Sequence, residues 1–206
     1  MQRCVIIGGA AVSNYEELKK RLKADDFIIC CDSGLNHVEK LGCRPDLIIG
    51  DFDYHEKPDT SVETVVLPCE KDDTDTVAAV KEAVRRGFQE FLFLGVIGNR
   101  FDHSFGNISI LLFLMKKGLH GVIVDDYSEM ELAGKQEVFI NDRYSFFSLL
   151  NISGEAEGVT VRNAKYPLEH AEITSDYQYG ISNEVLPGKV ASVSVERGCL
   201  LLVKDF

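Results

Sequence analysis

Phe91-Leu92-Phe93-Leu94-Gly95-Val96-Ile97-Gly98-Asn99-Arg100-Phe101-Asp102-His103 is the stretch whose reading decides the fold. Four apolar residues in a row, bounded by glycine, have the length and composition of a buried strand. Past the loop, Phe101, Phe105, Ile108, Leu112 and Met115 recur at spacings of four, three, four and three, the period of a helix face. Lys116-Lys117-Gly118 closes that helix, with cations at the negative end of its dipole and glycine for the cap. Val122-Ile123-Val124 is the next strand. A fully apolar strand, a helix and a second apolar strand make a βαβ unit, whose strands run parallel under helices on both faces. The spacing also predicts that Arg100, His103 and Asn107 share one side of the helix, opposite the apolar residues.

The same alternation extends toward the N-terminus. Cys4 to Ile7, Phe27 to Cys31, Leu47 to Ile49 and Val65 to Leu67 read as strands. Ser13 stands three residues before Glu16, the spacing of a capping box, ahead of a helical face of Tyr15, Leu18 and Leu22. Leu35, Val38 and Leu41 form another helical face, stopped by Gly42 and Pro45, and Val77, Val80 and Val84 a third, ending at Gly87. After residue 130 or so the helical period disappears. Glu137 to Ile140, Tyr144 to Leu150, Gly158 to Val161, Ala171 to Thr174, Val190 to Val195 and Cys199 to Val203 read as short strands. Asn141-Asp142, Pro187-Gly188 and Arg197-Gly198 supply turns between them, and Ala191, Val193 and Val195 alternate with Ser192 and Ser194 as one buried and one wet face. The expected fold is α/β: a Rossmann-like, mostly parallel sheet with flanking helices over residues 1–127, followed by an antiparallel β-sandwich over 128–206.

A chain of 206 residues can bury a real core as one large domain or two small ones. Its net charge of -11 repels nucleic-acid backbones and anionic membranes, so neither is expected as a partner. An acidic protein can still take a phosphate if a divalent cation lies between. No apolar run approaches the ~20 residues of a membrane span. The N-terminus enters Cys4 to Ile7 without the basic start of a signal peptide, so a cytoplasmic location is expected. The six cysteines form no CxxC pair and mostly sit in apolar runs, as small buried side chains in a reducing compartment would.

Four loops that follow strands carry polar residues: Asp32-Ser33-Gly34-Leu35-Asn36, Gly50-Asp51-Phe52-Asp53, Lys71-Asp72-Asp73-Thr74-Asp75 and Gly98 to His103. In an open parallel sheet the ligand crevice lies at such strand ends. Asp51 and Asp53, two apart, point the same way if extended. Carboxylates held together repel unless a cation sits between them, and magnesium commonly takes one or two carboxylates together with substrate phosphates. A solvated turn would also use Asp and Gly. Three acidic residues within 72–75 precede a helix, where one capping Asp would be enough. Glycines ahead of the Arg100 helix allow a phosphate to approach backbone amides, and Arg100 suits a multidentate phosphate contact. GxGxxG, GxxxxGK[ST] and GxSxG are all absent, which disfavours a standard dinucleotide site, a Walker-type site and a serine-hydrolase elbow.

Taken in order, these loops resemble the thiamine pyrophosphokinase family. That family shows D-G-G-x-N, P-D-x-I-x-G-D-x-D-S, K-D-x-T-D and G-G-R-x-D-H. Here the segments read Asp32 to Asn36, Pro45 to Tyr54, Lys71 to Asp75 and Gly98 to His103. The family's tryptophan-proline-leucine turn and S-N-E segment correspond to Tyr166-Pro167-Leu168 and Ser182-Asn183-Glu184. The likeness therefore runs through both halves. Ser33, Tyr54, Asn99 and Tyr166 depart from the family pattern, and Tyr166 keeps a flat ring that can stack on a cationic or aromatic ligand.

The resemblance implies transfer of pyrophosphate from ATP to the hydroxyl of thiamine, giving thiamine diphosphate and AMP. It implies Mg2+ held by Asp51, Asp53, Asp72 and Asp75, which with Arg100 form the catalytic set. Asp32, Asn36, Thr74, Arg100, Asp102 and His103 would line the nucleotide side, and Tyr166, Ser182 and Asn183 the thiamine side. It further implies a homodimer, each active site lying between the α/β domain of one subunit and the sandwich of the other. Which aspartate accepts the hydroxyl proton, Asp75 or another, stays open. The rival readings are a pyrophosphokinase for another small hydroxymethyl compound such as a pterin, a metal-dependent nucleotide phosphohydrolase, and a non-catalytic thiamine-binding module. The last would have lost carboxylates that are present here.

Overall fold

A computed structural model describes residues 2–52, 60–70 and 72–206; Asp53, Tyr54 and Lys71 lie outside the described residues. The chain divides into two compact units, Met1–Asp126 and Tyr127–Phe206. None of the described helices is long and apolar enough to cross a membrane.

In the first unit the apolar runs become β1 (Cys4–Ile7), β2 (Phe27–Cys31), β3 (Leu47–Gly50), β4 (Glu63–Val66), β5 (Glu90–Leu94) and β6 (His120–Val124). All pair in parallel, in the order β6-β5-β1-β2-β3-β4. The chain steps outward from β1 to β4, then crosses back to place β5 on the other side of β1. Cys4, Val5, Ile6 and Ile7 are all fully buried, so both faces of β1 are covered, as in a doubly wound sheet. The helices are α1 (Tyr15–Lys19), α2 (Val38–Leu41), α3 (Asp75–Arg85) and α4 (Phe101–Lys116), with a 3₁₀ segment over Asp32–His37. Gly42, in the left-handed region at φ 69, ends α2 where the sequence places the stop.

Two details of these helices differ from the sequence reading. Asn14, not Ser13, caps α1, its side chain accepting from the Glu17 amide. Ser13 is taken instead by Asp126, a partner more than a hundred residues away in sequence. In α4 the face that packs inward is Ser104, Asn107, Ile110, Leu111 and Leu114, whereas Phe101 and Phe105 are exposed and Ile108, Leu112 and Met115 half-buried. The first turns of α4 cover loop carbonyls, which need polar partners: Asn107 Nδ2 donates to the Val96 carbonyl at 2.8 Å. A reading that ranks positions by hydrophobicity alone therefore turns the helix the wrong way.

The second unit is all β: β7 (Ser128–Ala133), β8 (Val138–Asn141), β9 (Phe146–Leu150), β10 (Ala156–Arg162), β11 (Leu168–Glu172), β12 (Gly180–Asn183), β13 (Val190–Ser194), β14 (Arg197–Gly198) and β15 (Leu200–Asp205). One antiparallel sheet runs β12-β9-β15-β7, the other β11-β10-β13-β8 with β14 on β10. Ala133, Phe147, Leu149, Leu200 and Leu202 from the first sheet pack with Ile140, Val159, Val161, Ala191 and Val193 from the second in one core. Ser192, expected on the wet face, is buried.

Strand β7 is hidden in the sequence because its inward face carries Glu129 and Glu131. These lie opposite Lys204 and Leu202 of β15, on the face that holds Leu200 in the core. The Lys204 ammonium, 4 % exposed, bridges both carboxylates. Burial alone would lower its pKa, but the two carboxylates more than offset this and raise it, so it stays charged. Lys204→Ala removes the cation from between two half-buried carboxylates. We expect a loss of about 3–5 kcal/mol, read as a lower urea midpoint at unchanged slope.

Candidate active site

The carboxyl ends of β1, β2, β3 and β5 surround a pocket of about 600 Å³ in the first unit. Strand order reverses beside β1, and open α/β sheets bind ligands at that point. Its floor and walls come from four loops: Gly8 to Ala11 after β1, Cys31 to Ser33 after β2, Asp51 after β3 and Gly95 to Asn99 after β5. The N-terminal turns of α3 and α4 complete it through Asp73 to Thr76 and through Arg100, His103, Ser104 and Asn107. Backbone amides at helix starts, without a Cβ in the way, suit an anion.

The glycines at this end of the sheet are required by contact. A Cβ on Gly8 would lie 2.6 Å from the Gly95 carbonyl oxygen, and one on Gly95 equally close to that of Gly8. A Cβ on Gly34 would meet the Ile7 carbonyl at 2.2 Å. A Cβ on Gly9 would fall 2.0 Å from Ser33 Oγ. Ser33, a departure from the family pattern, is thus accommodated because residue 9 is glycine.

The sequence-predicted residues separate into several groups. Asp32, Asp51, Thr74, Asp75, Arg100 and His103 line the pocket. Asp32 has φ 38, an uncommon backbone for a non-glycine residue, and its Oδ1 is buried with no hydrogen-bond partner. A buried acceptor facing a polar pocket without a donor fits a bound cation. Thr74 caps α3, accepting from the Val77 amide at 3.3 Å. Asn36 and Asp72 are exposed and off the pocket wall, whereas Asp73, at the variable position of the K-D-x-T-D segment and outside the expected ligand set, lies on it and pairs with Lys81. Asp53 lies outside the described residues. Among the described residues no three carboxylate, histidine or cysteine groups close round one point.

Arg100 precedes α4 and pairs with Asp102 at 2.7 Å. That guanidinium holds the Asp102 carboxyl below its ordinary range. Both are exposed, so the pair is worth little in stability, and Arg100 can turn to an incoming phosphate at little cost. Cys31 lies in the pocket floor, but burial drives its thiol far above the ordinary range, which excludes a thiolate there. Cys69 also lines the pocket and is exposed, unlike the buried thiols the sequence suggests.

Sequence reasoning missed two residues behind the glycine loop. His37 is buried, with Tyr15 Oη 2.7 Å from its Nδ1, and its Cδ2 lies close beneath Gly95. Burial lowers its pKa, so it is neutral near pH 7. Asp126, just past β6, accepts from the Ser13 amide at 2.8 Å, the Ser13 hydroxyl at 2.6 Å and the Asn14 amide at 2.8 Å. No local motif announces either contact.

In the second unit, Tyr166 and Ser182 are exposed, and Asn183 is buried. Ser182 has φ 58, within an irregularity of β12.

A nucleotide-sized, carboxylate-bearing pocket at the switch point of a doubly wound sheet, in a chain that also holds a β-sandwich, is what a two-domain nucleotide-dependent transferase has. Residues 18–123 match the family model described as thiamin pyrophosphokinase, catalytic domain, and residues 135–200 that described as thiamin pyrophosphokinase, vitamin B1 binding domain. A thiamine pyrophosphokinase of Bacillus subtilis (strain 168) is 25% identical over 213 residues, covering 100% of this chain and 99% of the relative. The crystal structure of thiamine pyrophosphokinase from Bacillus subtilis matches with TM-score 0.87 at 21% identity, covering 99% of both chains. That from Geobacillus thermodenitrificans gives 0.83 at 24%, covering 100% of this chain and 98% of the other. The yeast enzyme gives 0.78 at 14%, covering 100% of this chain and 86% of the other. The chain belongs to the thiamine pyrophosphokinase family.

Burial pushes the Asp126 pKa up, but the Ser13 hydroxyl and the Ser13 and Asn14 amides outweigh it and hold the carboxyl low. A depressed folded-state pKa contributes stability above the unfolded value, about 3.9, that is lost as pH falls through the folded value. Asp126→Asn should therefore cost about 1–2 kcal/mol at pH 7 and progressively less below pH ~4. Urea titrations of both proteins across that range check it.

Proposed function

We propose that this chain transfers the pyrophosphoryl group of ATP to the hydroxyl of thiamine, giving thiamine diphosphate and AMP. The observation that carries the reading is the switch-point pocket, in which glycine-bearing loops and the residues Asp32, Asp51 and Asp75 line one cavity in the catalytic unit of a family member.

Asp51, Asp53, Asp72 and Asp75 would hold Mg2+, with the Asp32 carboxylate lining the same pocket as Asp51 and Asp75. When bound, the cation supplies charge neutralisation along the phosphate chain. The small residues Gly8 to Ala11 leave room for the phosphates along one wall, and Arg100 leaves Asp102 to meet them. Thr74, at the start of α3, and His103, on α4, line the same space, while Asp102 reaches it through its pair with Arg100. The thiamine oxygen attacks the β-phosphorus in line, the bond from that phosphorus to the oxygen carried off by AMP breaks, and an aspartate of the pocket takes the hydroxyl proton. Positioning and charge neutralisation carry most of such a reaction.

The sandwich supplies the thiamine side, with Tyr166 offering a ring to the cationic heteroaromatic substrate and Ser182 a hydroxyl. The enzyme acts as a cytoplasmic homodimer. The free thiols of all six cysteines favour the compartment, and the exposed Phe101, Phe105, Tyr166 and Ile181 favour burial in an assembly.

AMP release from ATP and magnesium, followed with and without thiamine while the product is identified by mass, tests the reading. AMP formed only with thiamine, in step with thiamine diphosphate, is expected. AMP or ADP without thiamine would instead mark a phosphohydrolase, and turnover only with a hydroxymethylpterin would mark the other pyrophosphokinase. Asp51→Asn should lower kcat on the order of a hundredfold or more with an unchanged melting temperature. Near-normal turnover in that variant would remove Asp51 from the metal site.

A further inference from the structure

Tyr166 is 58% exposed, yet the backbone beneath it is tightly held. Residues 163–166 run antiparallel to 183–186. The Leu186 amide donates to the Asn163 carbonyl at 2.9 Å and the Lys165 amide to the Glu184 carbonyl at 2.8 Å, with a bridge between Ala164 and Val185. Lys165 and Glu184 also pair through their side chains at 2.6 Å. Pro167 then ends the ladder, because it has no N–H to donate.

Asn183 supplies the last rung with its side chain. Its Oδ1 accepts from the Tyr166 amide at 3.0 Å and from the Glu184 amide at 2.9 Å, and its Nδ2 donates to the Tyr166 carbonyl at 2.8 Å. Two amide donors face one end and a carbonyl the other, so the network fixes which end is oxygen. Both lone pairs of Oδ1 are used, and one Nδ2 hydrogen remains on a residue only 7% exposed. Ser182, at φ 58, and the register shift in β12 explain how the side chain arrives there. Ile181 and Ser182 are both exposed, so the usual alternation breaks and Asn183 turns inward.

We propose that Asn183 is a positioning residue that fixes the Tyr166 backbone, and through it the angle of the ring that meets the substrate, and is not itself a substrate ligand. This rests on the thiamine reading. The Lys165 ammonium lies 5.6 Å from the Tyr166 ring centroid. One side of the ring is thus taken by a cation already tied to Glu184, and a cationic substrate is directed to the other.

The chain contains no tryptophan, so Tyr166→Trp installs a single reporter at the residue in question. In that parent, thiamine quenches the emission. Adding Asn183→Ala should enlarge the fast local component of the tryptophan anisotropy decay. It should also weaken thiamine binding on the order of tenfold, with the affinity for a non-hydrolysable ATP analogue unchanged. In a Tyr166→Ala background, Asn183→Ala should add little further rise in the KM for thiamine, because the two act as one unit. Asn183→Ser, which keeps a hydroxyl acceptor and places no charge against the Tyr166 carbonyl, gives the same comparison at smaller amplitude if Asn183→Ala does not fold. Thiamine affinity lost with an unchanged anisotropy decay would overturn the proposal in favour of direct contact, and no change in either quantity would overturn it outright. A parent that does not respond to thiamine would overturn the substrate reading, and the anisotropy comparison would then decide the backbone clamp by itself.

Discussion

The catalytic unit depends on two loop backbones touching where side chains cannot fit. Gly8 and Gly95 end neighbouring parallel strands and pack carbonyl against Cα, tied by bonds from the Gly8 amide to Leu94 and from the Ala10 amide to Gly95. A Cβ at either position would overlap backbone, which cannot swing aside as a side chain does. With that contact made, the loops after β1 and β5 close on one another at the edge of the pocket. Gly34, pressed on the Ile7 carbonyl, brings the Asp32 turn to the same point. The pocket thus follows from three close approaches, and the carboxylates occupy the rim they create.

Charges do different work in the two units. Around the pocket they are poised to be exchanged: Arg100 and Asp102 pair in solvent, where the bond is cheap to break, and Asp32 holds an acceptor with no donor. Inside the sandwich they are locked, with Lys204 between Glu129 and Glu131 and almost no exposure. The first arrangement suits a ligand that brings its own charge. The second suits a scaffold in which strand β15 must stay in one register against β7, since sliding would bury unpaired charge. Asn183 is a neutral version of the same idea, a side chain acting as backbone where Pro167 leaves the ladder short.

Much of this was legible in the chain. Apolar runs of three to five residues marked the parallel strands, because the inner strands, covered on both faces, need no polar alternation. The four polar loops in order identified the family, since each glycine and aspartate there answers to a backbone or charge requirement that few other residues meet. Asp32, Asp51, Thr74, Asp75, Arg100 and His103 all reach one pocket because each follows directly on a strand end or opens a helix. The turn of α4 was misread, because Ser104 and Asn107 face inward to satisfy carbonyls that only the folded loops expose. Strand β7 was missed, because its glutamates look solvent-facing until Lys204 is beside them.

Sequence alone determined the alternation of strands and helices in the first unit and the chemistry available at their ends, both of which are local properties of composition and spacing. Tertiary structure alone decided which aspartates share a wall, that Asp126 holds Ser13 and Asn14 behind the glycine loop, and that the Asn183 amide is spent on the Tyr166 backbone. Those contacts join residues from 17 to 113 positions apart, and a hydrogen bond at that separation leaves no periodic trace in the chain. It exists only once packing has brought the two partners together.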